Sequence, residues 1–553
     1  MGEDVKRLAN PQVGWRILGV LCALAPLAFL GLFFFYPVTN IVISSLSQGW
    51  SGFFSIFGSP RTRDAIWFTT WQAAVSTAVT IALAMPCAAL MARTSGKAGV
   101  WLKALVTVPF VLPTIVVGGA FKELFERLDT SFGLPNLNHT AAAIIVAHAF
   151  FNFSVVARTV GAYWAGLDHQ LEEQARTLGS SNARVFSRVT WPRLKPAVLA
   201  AGAITFLFSF TSFGVVLVLG GLRQATIETE IFRHAVVRGD LTTSASMSVI
   251  QIVAVLCLLA VTSHLERRTN VSTQMVRSVI APLGTATKVT ISAFSLIFLG
   301  SPLLVMVERS LKTGDRYGFQ NYAALFDKIP QLPATAAEAI GNSMIYAAIA
   351  TAIALCLGVL CALTIVAKGD KTGRFFDLAA TLPLGVSAVT VGFGILISLN
   401  RSPVDWRTSW WMVPVAHSVV AVPFVVRSIV PMLRQIDPSI REAASLLGSS
   451  PLQIRRLIDL PLVVRGITVA AGFAFAISLG EFGATSFLPR RADTLTGPQA
   501  VFRLLGTPGD LLRGQAMALS VVLAGSVAIV VIFSELFSSY KKCRSEVDLQ
   551  IGS

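Results

Sequence analysis

Two short polar segments interrupt long apolar stretches of the chain, and each carries a glutamate at the same place. The first, EEQARTLGSS at 172–181, holds Glu173, and the second, REAASLLGSS at 441–450, holds Glu442. A helix lying on lipid would carry lysine and arginine on its polar face and bulky apolar anchors opposite. These segments carry small alanines and a matched carboxylate instead, which suits docking into a protein groove. Two such elements imply two sockets.

A third carboxylate, Glu481, lies within the apolar stretch SLGEFGATSF at 478–487. An ionisable residue in a membrane segment is costly in lipid and usually faces the bundle interior or a water-filled path, where a carboxylate suits a cation. The alternative is that Glu481 pairs with a neighbour and only shapes the packing. The candidate substrate-path residues are Ser212, Phe213, Glu481, Phe482, His148, Asn152 and His417. For the two histidines and the asparagine, hydrogen bonding between helices is the alternative role.

Residue patterns of the common catalytic and nucleotide-binding sites are missing from the sequence. No GxxxxGK[ST] occurs, and TSGKAG (94–99) and KGDKTGR (368–374) lack its spacing. We find no nucleophile elbow or metal-ligand spacing, and most of the six cysteines lie in apolar segments, where they pack as small hydrophobic residues. We therefore expect no catalytic residue, metal or cofactor in this chain. Energy for any active process must come from a partner.

Composition restricts the class of protein that can position these residues. Hydrophobic residues make up 54% of the 553 and charged residues 13%. Runs of 18 or more apolar residues recur along the chain, which predicts an all-α polytopic membrane protein surrounded by lipid. The net charge of +16 comes from basic residues in short loops. Membrane topology explains that pattern better than nucleic-acid binding does.

About twelve transmembrane helices are predicted, in two sets of six. A polar, basic linker at 267–287 separates the sets. If the N-terminus is cytoplasmic, most of the 45 lysines and arginines fall on the cytoplasmic side, so we expect both termini and both polar segments there. The predicted helices are 16–47, 65–92, 101–121, 140–164, 196–221, 246–264, 288–309, 340–367, 376–399, 409–432, 465–488 and 514–538.

One offset relates the two sets of helices. Glu173 and Glu442 stand 269 positions apart, and six helices separate them. An even number of crossings gives both halves the same direction, so we predict two parallel six-helix repeats, at 1–266 and 288–553. The same offset relates Asp168 to Asp437, His148 to His417, Arg158 to Arg427, Gly179 to Gly448, Pro192 to Pro461, Phe213 to Phe482, and Ser212 to Glu481.

The repeated polar elements, loop 1 (168–195) and loop 2 (437–465), have a predictable local structure. In loop 2, Asp437 can cap a helix that begins at Pro438. Glycine then ends each helix in the left-handed conformation, and serine caps the next short helix. The expected apolar stripes are Leu171, Ala175 and Leu178 in loop 1, and Ile440, Ala444 and Leu447 in loop 2; the glycines are Gly179 and Gly448, and the serines Ser181 and Ser450.

EEQARTLGSSNARVFSRVTWPRLKP and REAASLLGSSPLQIRRLIDLPLVVRG resemble the EAA loop of bacterial ATP-binding-cassette importer permeases. The resemblance covers both six-helix halves and implies the type I importer permease fold in the bacterial inner membrane. It also implies two cytoplasmic ATPase subunits that hold ATP and Mg²⁺, and an extracytoplasmic substrate-binding protein. The residues that would contact the ATPases are Glu173, Ala175, Leu178, Gly179, Glu442, Ala443, Ala444, Leu447 and Gly448. In loop 1, Gln174 replaces the middle alanine of the motif.

The sequence leaves alternatives open for the substrate and for the class of transporter. FTSFGVVLVLGGLRQATIETEIFRHAV (210–236) is most similar to thiamine permeases, and fusion of two halves is typical of thiamine and ferric iron importers. Thiamine or its phosphates is therefore the first expectation and ferric iron the second, with an oxyanion such as molybdate or sulfate after them. A proton-coupled secondary transporter of the major facilitator type also has six plus six parallel helices. Its expected glycine-rich Asp-Arg loop is replaced here by ARTSGKAGVWLK (92–103).

Overall fold

A computed structural model describes residues 23–94, 96–221, 223–269, 283–368, 371–399, 405–489 and 491–551. Within those ranges the regular secondary structure is helical apart from one small hairpin, in which Lys312–Thr313 (β1) pairs antiparallel with Arg316–Tyr317 (β2). Apolar segments adopt helices in a membrane because only internal hydrogen bonding satisfies their backbone groups. The all-α class predicted from composition is confirmed.

The first half of the chain supplies eleven of the described helices. Helix α8 (Trp191–Phe210) follows a single turn at Asn182–Val185 and a π turn at Phe186–Thr190. Helix α10 (Ile227–Phe232) continues into a π turn at Arg233–Arg238. The helices are α1 Ala23–Ser45, α2 Gly49–Ser55, α3 Pro60–Ala92, α4 Gly96–Val111, α5 Thr114–Phe132, α6 Ala141–Ala165, α7 Gln170–Thr177, α8 Trp191–Phe210, α9 Gly214–Leu219, α10 Ile227–Phe232 and α11 Leu241–Thr269.

The second half supplies ten described helices. Helix α19 follows a single turn at Pro451–Ile454 and a π turn at Arg455–Asp459. The helices are α12 Thr285–Leu311, α13 Gln320–Ala323, α14 Ala336–Lys368, α15 Lys371–Thr381, α16 Ala388–Ser398, α17 Met412–Arg434, α18 Pro438–Leu446, α19 Leu460–Leu479, α20 Gly497–Gly506 and α21 Asp510–Ile551.

Nine helices in the described ranges are long and apolar enough to cross a membrane, or up to twelve if each bent helix pair is one span. The predicted number of spans is thus confirmed, but three of the predicted segments are not helical throughout. The segment 101–121 breaks by 97° between α4 and α5, where Pro113 precedes α5. The segment 376–399 breaks by 96° before α16. The segment 465–488 ends as a helix at Leu479.

Contacts group the described residues into two compact units that differ from the two repeats. Unit 1 contains the described part of 1–43 with Ala339–Thr496 and the described end of α21. Unit 2 contains Ser44–Glu338 with Gly497–Ala528. Helix α1 therefore groups with helices of the second repeat, and α20 with helices of the first. The repeat boundaries 1–266 and 288–553 stay a prediction, and the linker 267–287 lies mostly outside the described residues.

Close helix pairs form the interior of each unit. In unit 1, α14 and α17 approach so closely that a Cβ on Gly358 would lie 2.5 Å from Cγ1 of Val425. In unit 2, α3 and α6 meet where a Cβ on Gly161 would lie 3.1 Å from the carbonyl oxygen of Ala88. Small residues at such crossings let backbones approach, which is how helices associate in a membrane.

Candidate functional site

Loop 1 is a short helix closed by a left-handed glycine. Before α7, the Asp168 carboxylate accepts a hydrogen bond from the backbone N–H of Gln170 at 3.0 Å. At the other end Gly179 has φ +81°, and the N–H of Ser180 bonds to the carbonyl of Ala175 at 3.0 Å. The predicted glycine stop is confirmed. Ser181 lies at the start of the next turn, but its side chain makes no capping hydrogen bond, so that part of the prediction is wrong.

Loop 2 repeats this geometry with stronger caps. Asp437 accepts from the N–H of Ser439 at 2.9 Å, and this backbone hydrogen bond lowers the pKa of the Asp437 carboxyl. Gly448 has φ +83°, as predicted. Ser450 and Gln453 form a reciprocal cap, because each side chain accepts from the backbone N–H of the other residue.

The two loops agree element by element, which confirms the duplication in this region. The single turns begin at 182 and 451, the π turns at 186 and 455, and the membrane helices at 191 and 460, each pair 269 residues apart. Each element also ends at that offset. Such agreement in backbone conformation between segments with different side chains indicates one structural unit used twice.

Large apolar side chains stand in solvent on both loops. Leu178 of loop 1 is 86% exposed, and Leu446 and Leu447 of loop 2 are 88% and 87% exposed. Glu173 and Glu442 are exposed as well. Of the remaining stripe members, Ala175 and Ala444 are partly covered, and Leu171 and Ile440 are about half exposed. Ala443 is exposed as well. Leucines this exposed, on loops that also expose a carboxylate, suit a surface that another protein covers.

A second polar contact, which the sequence did not predict, fastens each loop to the membrane helix that follows. In loop 1 the Thr190 hydroxyl donates to Oε1 of Glu172 at 2.8 Å. In loop 2 the Arg441 Nε donates to Oδ1 of Asp459, also at 2.8 Å. The sequence signal is that 172 and 441, like 190 and 459, are 269 apart and change residue type together.

Glu481 lies in the turn after α19, not in a helix. The residue is 6% exposed, and its Oε1 accepts from the backbone N–H of Ala484 at 2.8 Å. No donor from the described residues reaches Oε2. The turn lies against the start of α16, since a Cβ on Gly483 would be 3.2 Å from the N atom of Val389. Phe482, next to Glu481, is buried.

Ser212, the residue of the first repeat that corresponds to Glu481, lies in unit 2. Ser212 and Phe213 are buried in the short connection between α8 and α9, where the Phe213 ring meets that of Phe232 edge-on at 5.4 Å. This connection consists of Thr211, Ser212 and Phe213, so it contains no carboxylate that corresponds to Glu481.

The intramembrane histidines and asparagine join helices within each unit. His148 Nδ1 lies 3.3 Å from the Ser76 hydroxyl, which links α6 to α3. His417 Nδ1 lies 2.7 Å from the hydroxyl of Ser478, which links α17 to α19. Asn152 donates to the hydroxyl of Ser209 at 3.2 Å. These contacts match the helix-joining alternative, in which buried polar groups bond across a membrane bundle.

Two buried glutamates on α10 were missed by sequence reasoning. Glu230 is 1% exposed and is held by Arg61 at 2.9 Å and Arg233 at 2.6 Å. Glu228 accepts from the amide of Gln251 at 2.9 Å. The signal was present in ATIETE, where two carboxylates alternate with apolar and hydroxyl side chains.

A charged cavity of about 340 Å³ opens in unit 2. It is lined where α5 and α12 end and α21 begins, and Arg309 bridges Glu123 and Asp510 there. Glu126 on α5 accepts from Arg513 at 2.9 Å. Helix α6 starts near the end of α5 and runs about 37 Å before loop 1 begins, at 1.5 Å per residue. The charged cavity and loop 1 therefore lie at opposite ends of the unit.

Comparison with known proteins agrees with this arrangement. The family model described as "Binding-protein-dependent transport system inner membrane component" matches residues 84–271 and again 354–539. The chain is 24% identical over 467 residues to the thiamine transport system permease protein ThiP of Brucella abortus, covering 80% of this chain and 82% of that protein. The ThiP of Salmonella typhimurium is 23% identical over 496 residues, covering 85% and 87%.

A shorter relative matches part of the chain more closely. The putative 2-aminoethylphosphonate transport system permease protein PhnV of Salmonella typhimurium is 30% identical over 238 residues, which cover 43% of this chain and 89% of PhnV. A relative of roughly half the length fits a chain in which one permease unit occurs twice.

Proposed function

Since the chain belongs to the family of binding-protein-dependent transport system inner membrane components, with two copies of the family domain in one polypeptide, we propose that it translocates thiamine or a thiamine phosphate. It is a fused permease of an ATP-binding-cassette importer, so the major facilitator alternative is set aside. In this proposal a substrate-binding protein delivers the solute, and ATP is hydrolysed on separate subunits.

The observation that carries the mechanism is the pair of exposed, geometrically matched loops. Leu178 in loop 1 and Leu447 in loop 2 each present an exposed apolar side chain five residues after an exposed carboxylate. Each would enter a groove of one ATPase subunit, with Glu173 and Glu442 facing basic residues of the partner. Two ATPases would therefore bind per chain, and they would hold the ATP and Mg²⁺. Burying both leucines on binding gives the loops a hydrophobic driving force.

Orientation follows from the same proposal. If loops 1 and 2 face ATPases they lie in the cytoplasm, together with both termini. The charged cavity around Arg309 then lies at the outer end of unit 2. Acidic and basic side chains exposed there suit the polar, transient contacts of a binding protein that docks and leaves.

Two observations support a cationic substrate. Relatives that carry the name of thiamine permeases match along most of the chain, and Glu481 holds a carboxylate oxygen that no described donor satisfies. A buried carboxylate with a free oxygen would attract the positive ring or amine of a solute. Ferric iron, a cation as well, is the alternative. Phe482 in unit 1, and Ser212 and Phe213 in unit 2, stay proposed substrate-path residues. The match to PhnV favours a 2-aminoethylphosphonate, whose amine is also cationic, as a further candidate.

Uptake by intact cells tests the proposal. Cells with and without the gene are given labelled thiamine, labelled ferric iron or labelled 2-aminoethylphosphonate, each with and without depletion of ATP. We expect gene-dependent, ATP-dependent uptake of thiamine alone. Uptake of only one of the other two would replace the substrate but keep the importer, and thiamine uptake that survives loss of ATP and follows the proton gradient would contradict the mechanism.

A further inference from the structure

We propose that one side-chain contact in each loop transmits the movement of the ATPase to the membrane: Glu172 with Thr190 in loop 1, and Arg441 with Asp459 in loop 2. This inference rests on the proposed function, because it assumes that the loops bind ATPases. It assigns a positioning role to four residues that do not themselves face the partner.

The contacts lie at the base of each loop, buried in loop 1 and partly buried in loop 2, where the Arg441 side chain is 26% exposed. Glu172, Thr190 and Asp459 are 5%, 3% and 6% exposed. The polar atoms are 2.8 Å apart in both loops, and the partners are 18 residues apart in both. Buried hydrogen bonds that involve a charged group are stronger than exposed ones, and leaving one partner unpaired is costly.

The chemistry of the contact is reversed between the loops while the contact itself is kept. In loop 1 the acid lies on the short helix, at Glu172, and the donor lies in the π turn. In loop 2 the donor lies on the short helix, at Arg441, and the acid lies in the π turn, at Asp459. If the charge of each position mattered, the same position would carry the acid in both loops. A role as a mechanical tie needs only that the two positions bond.

Each contact ends at the residue from which a membrane helix starts. Thr190 and Asp459 are the last residues of the two π turns, directly before α8 and α19. A force on α7 or α18 is therefore applied to the first turn of a membrane helix. Such wide turns occur often at functional sites, because an extra residue lets a helix shift without breaking.

Further bonds hold each loop to a neighbouring membrane helix. Arg193 on α8 donates to the carbonyl of Asp168 at 2.7 Å, and Arg441 also donates to the carbonyl of Leu433 at 3.1 Å. Loop 2 is thus held to the helix before it and to the helix after it, whereas the bonds of loop 1 hold it to α8, the helix after it. The short helix can move only if those membrane helices move too.

Docking and transmission use different faces of the short helix. Adjacent helical residues point about 100° apart, at 3.6 residues per turn. Glu173 and Glu442 are exposed, whereas their neighbours Glu172 and Arg441 face the π turn. A change at Arg441 can therefore break the tie and leave the docking surface in place.

The test uses the affinity-tagged chain, purified from its own cells together with the ATPase it retains. Arg441→Glu sets a carboxylate against Asp459, and R441E/D459T gives loop 2 the acid and hydroxyl of loop 1. We expect R441E to keep the ATPase but to lower hydrolysis per retained ATPase about tenfold, as coupled neighbours do when a charged bond is lost. R441E/D459T should regain most of the lost ATP hydrolysis.

Controls distinguish loss of the contact from a change in net charge and from loss of the fold. Arg434→Glu makes the same charge change at an exposed residue at the end of α17, and should behave like the unsubstituted chain. Asp459→Thr alone should also lower hydrolysis, since it leaves Arg441 without its acid. Thermal unfolding of each variant reports loss of fold.

Three results would overturn the inference. They are normal hydrolysis by R441E, loss of the ATPase from R441E during purification, and a double variant no better than R441E in a folded protein. If the unsubstituted chain retains no ATPase, the proposed function fails as well.

Discussion

Truncating the two exposed leucines should weaken ATPase binding without weakening the fold. Leu178 and Leu447 are 86% and 87% exposed, so in the free chain they contribute little to stability. If a partner groove buries them, Leu→Ala removes three buried carbons and about 2 kcal/mol of hydrophobic free energy, or about thirtyfold in Kd. For L178A/L447A the two losses should add, because each would affect a separate ATPase site.

Binding is measured by titrating purified ATPase onto the chain held in lipid nanodiscs, at fixed salt, with thermal unfolding followed in parallel. Leu511→Ala, at a half-exposed leucine in the first turn of α21, is the matched control and should bind like the unsubstituted chain. The reasoning is refuted if L178A/L447A binds ATPase with unchanged Kd. It is also refuted if the melting temperature of L178A/L447A falls well below that of the unsubstituted chain, because the lost binding would then reflect a damaged fold.

Three further predictions follow from single residues. Gly448→Pro should leave the membrane helices intact but abolish transport, since proline cannot adopt φ +83° and loses the bond from its N–H to Ser445; normal uptake would contradict this. Asp437 caps α18 as a carboxylate with a lowered pKa, so protection of α18 in hydrogen exchange should be complete above about pH 4 and be lost as pH falls further, and Asp437→Ala should remove that pH dependence. Glu481→Gln should lower thiamine uptake while ATPase binding persists, and unchanged uptake kinetics would assign Glu481 to packing.

Local backbone features were predictable because they depend on residues close in sequence. The stops at Gly179 and Gly448 and the cap at Asp437 follow from what one residue type does at a helix end. The duplication was predictable for a different reason. A constant offset survives divergence of the side chains as long as no insertion intervenes.

Features that depend on distant packing were not predictable. Hydropathy predicted a helix at 101–121; Pro113 is visible there as a position where a helix can end, but the 97° angle between the two apolar helices is not visible in the sequence. The grouping of α1 with helices of the second repeat leaves no trace in the sequence. Nor does the bond from Arg441 to Asp459, because a pairing 18 residues apart is visible only once the turn between them is known.

The structure locates the candidate substrate-path residues, and their role in transport stays a prediction. An ionisable residue in an apolar stretch marked Glu481, and the structure places that carboxylate in a buried turn with one oxygen unbonded among the described residues. His148 and His417 were marked by the same criterion, yet their ring nitrogens contact hydroxyls of neighbouring helices. Polarity inside a membrane identifies both kinds of residue, and only the contacts distinguish them.

The most direct test of the account is the mass of the intact complex. The tagged chain is purified from its own cells in mild detergent and weighed by native mass spectrometry, alongside L178A and L447A. If each loop binds one ATPase, the complex contains one chain with two ATPase subunits, and each single variant preferentially loses one of them. A chain that carries no ATPase, or variants that retain both ATPases as firmly as the unsubstituted chain, would contradict it.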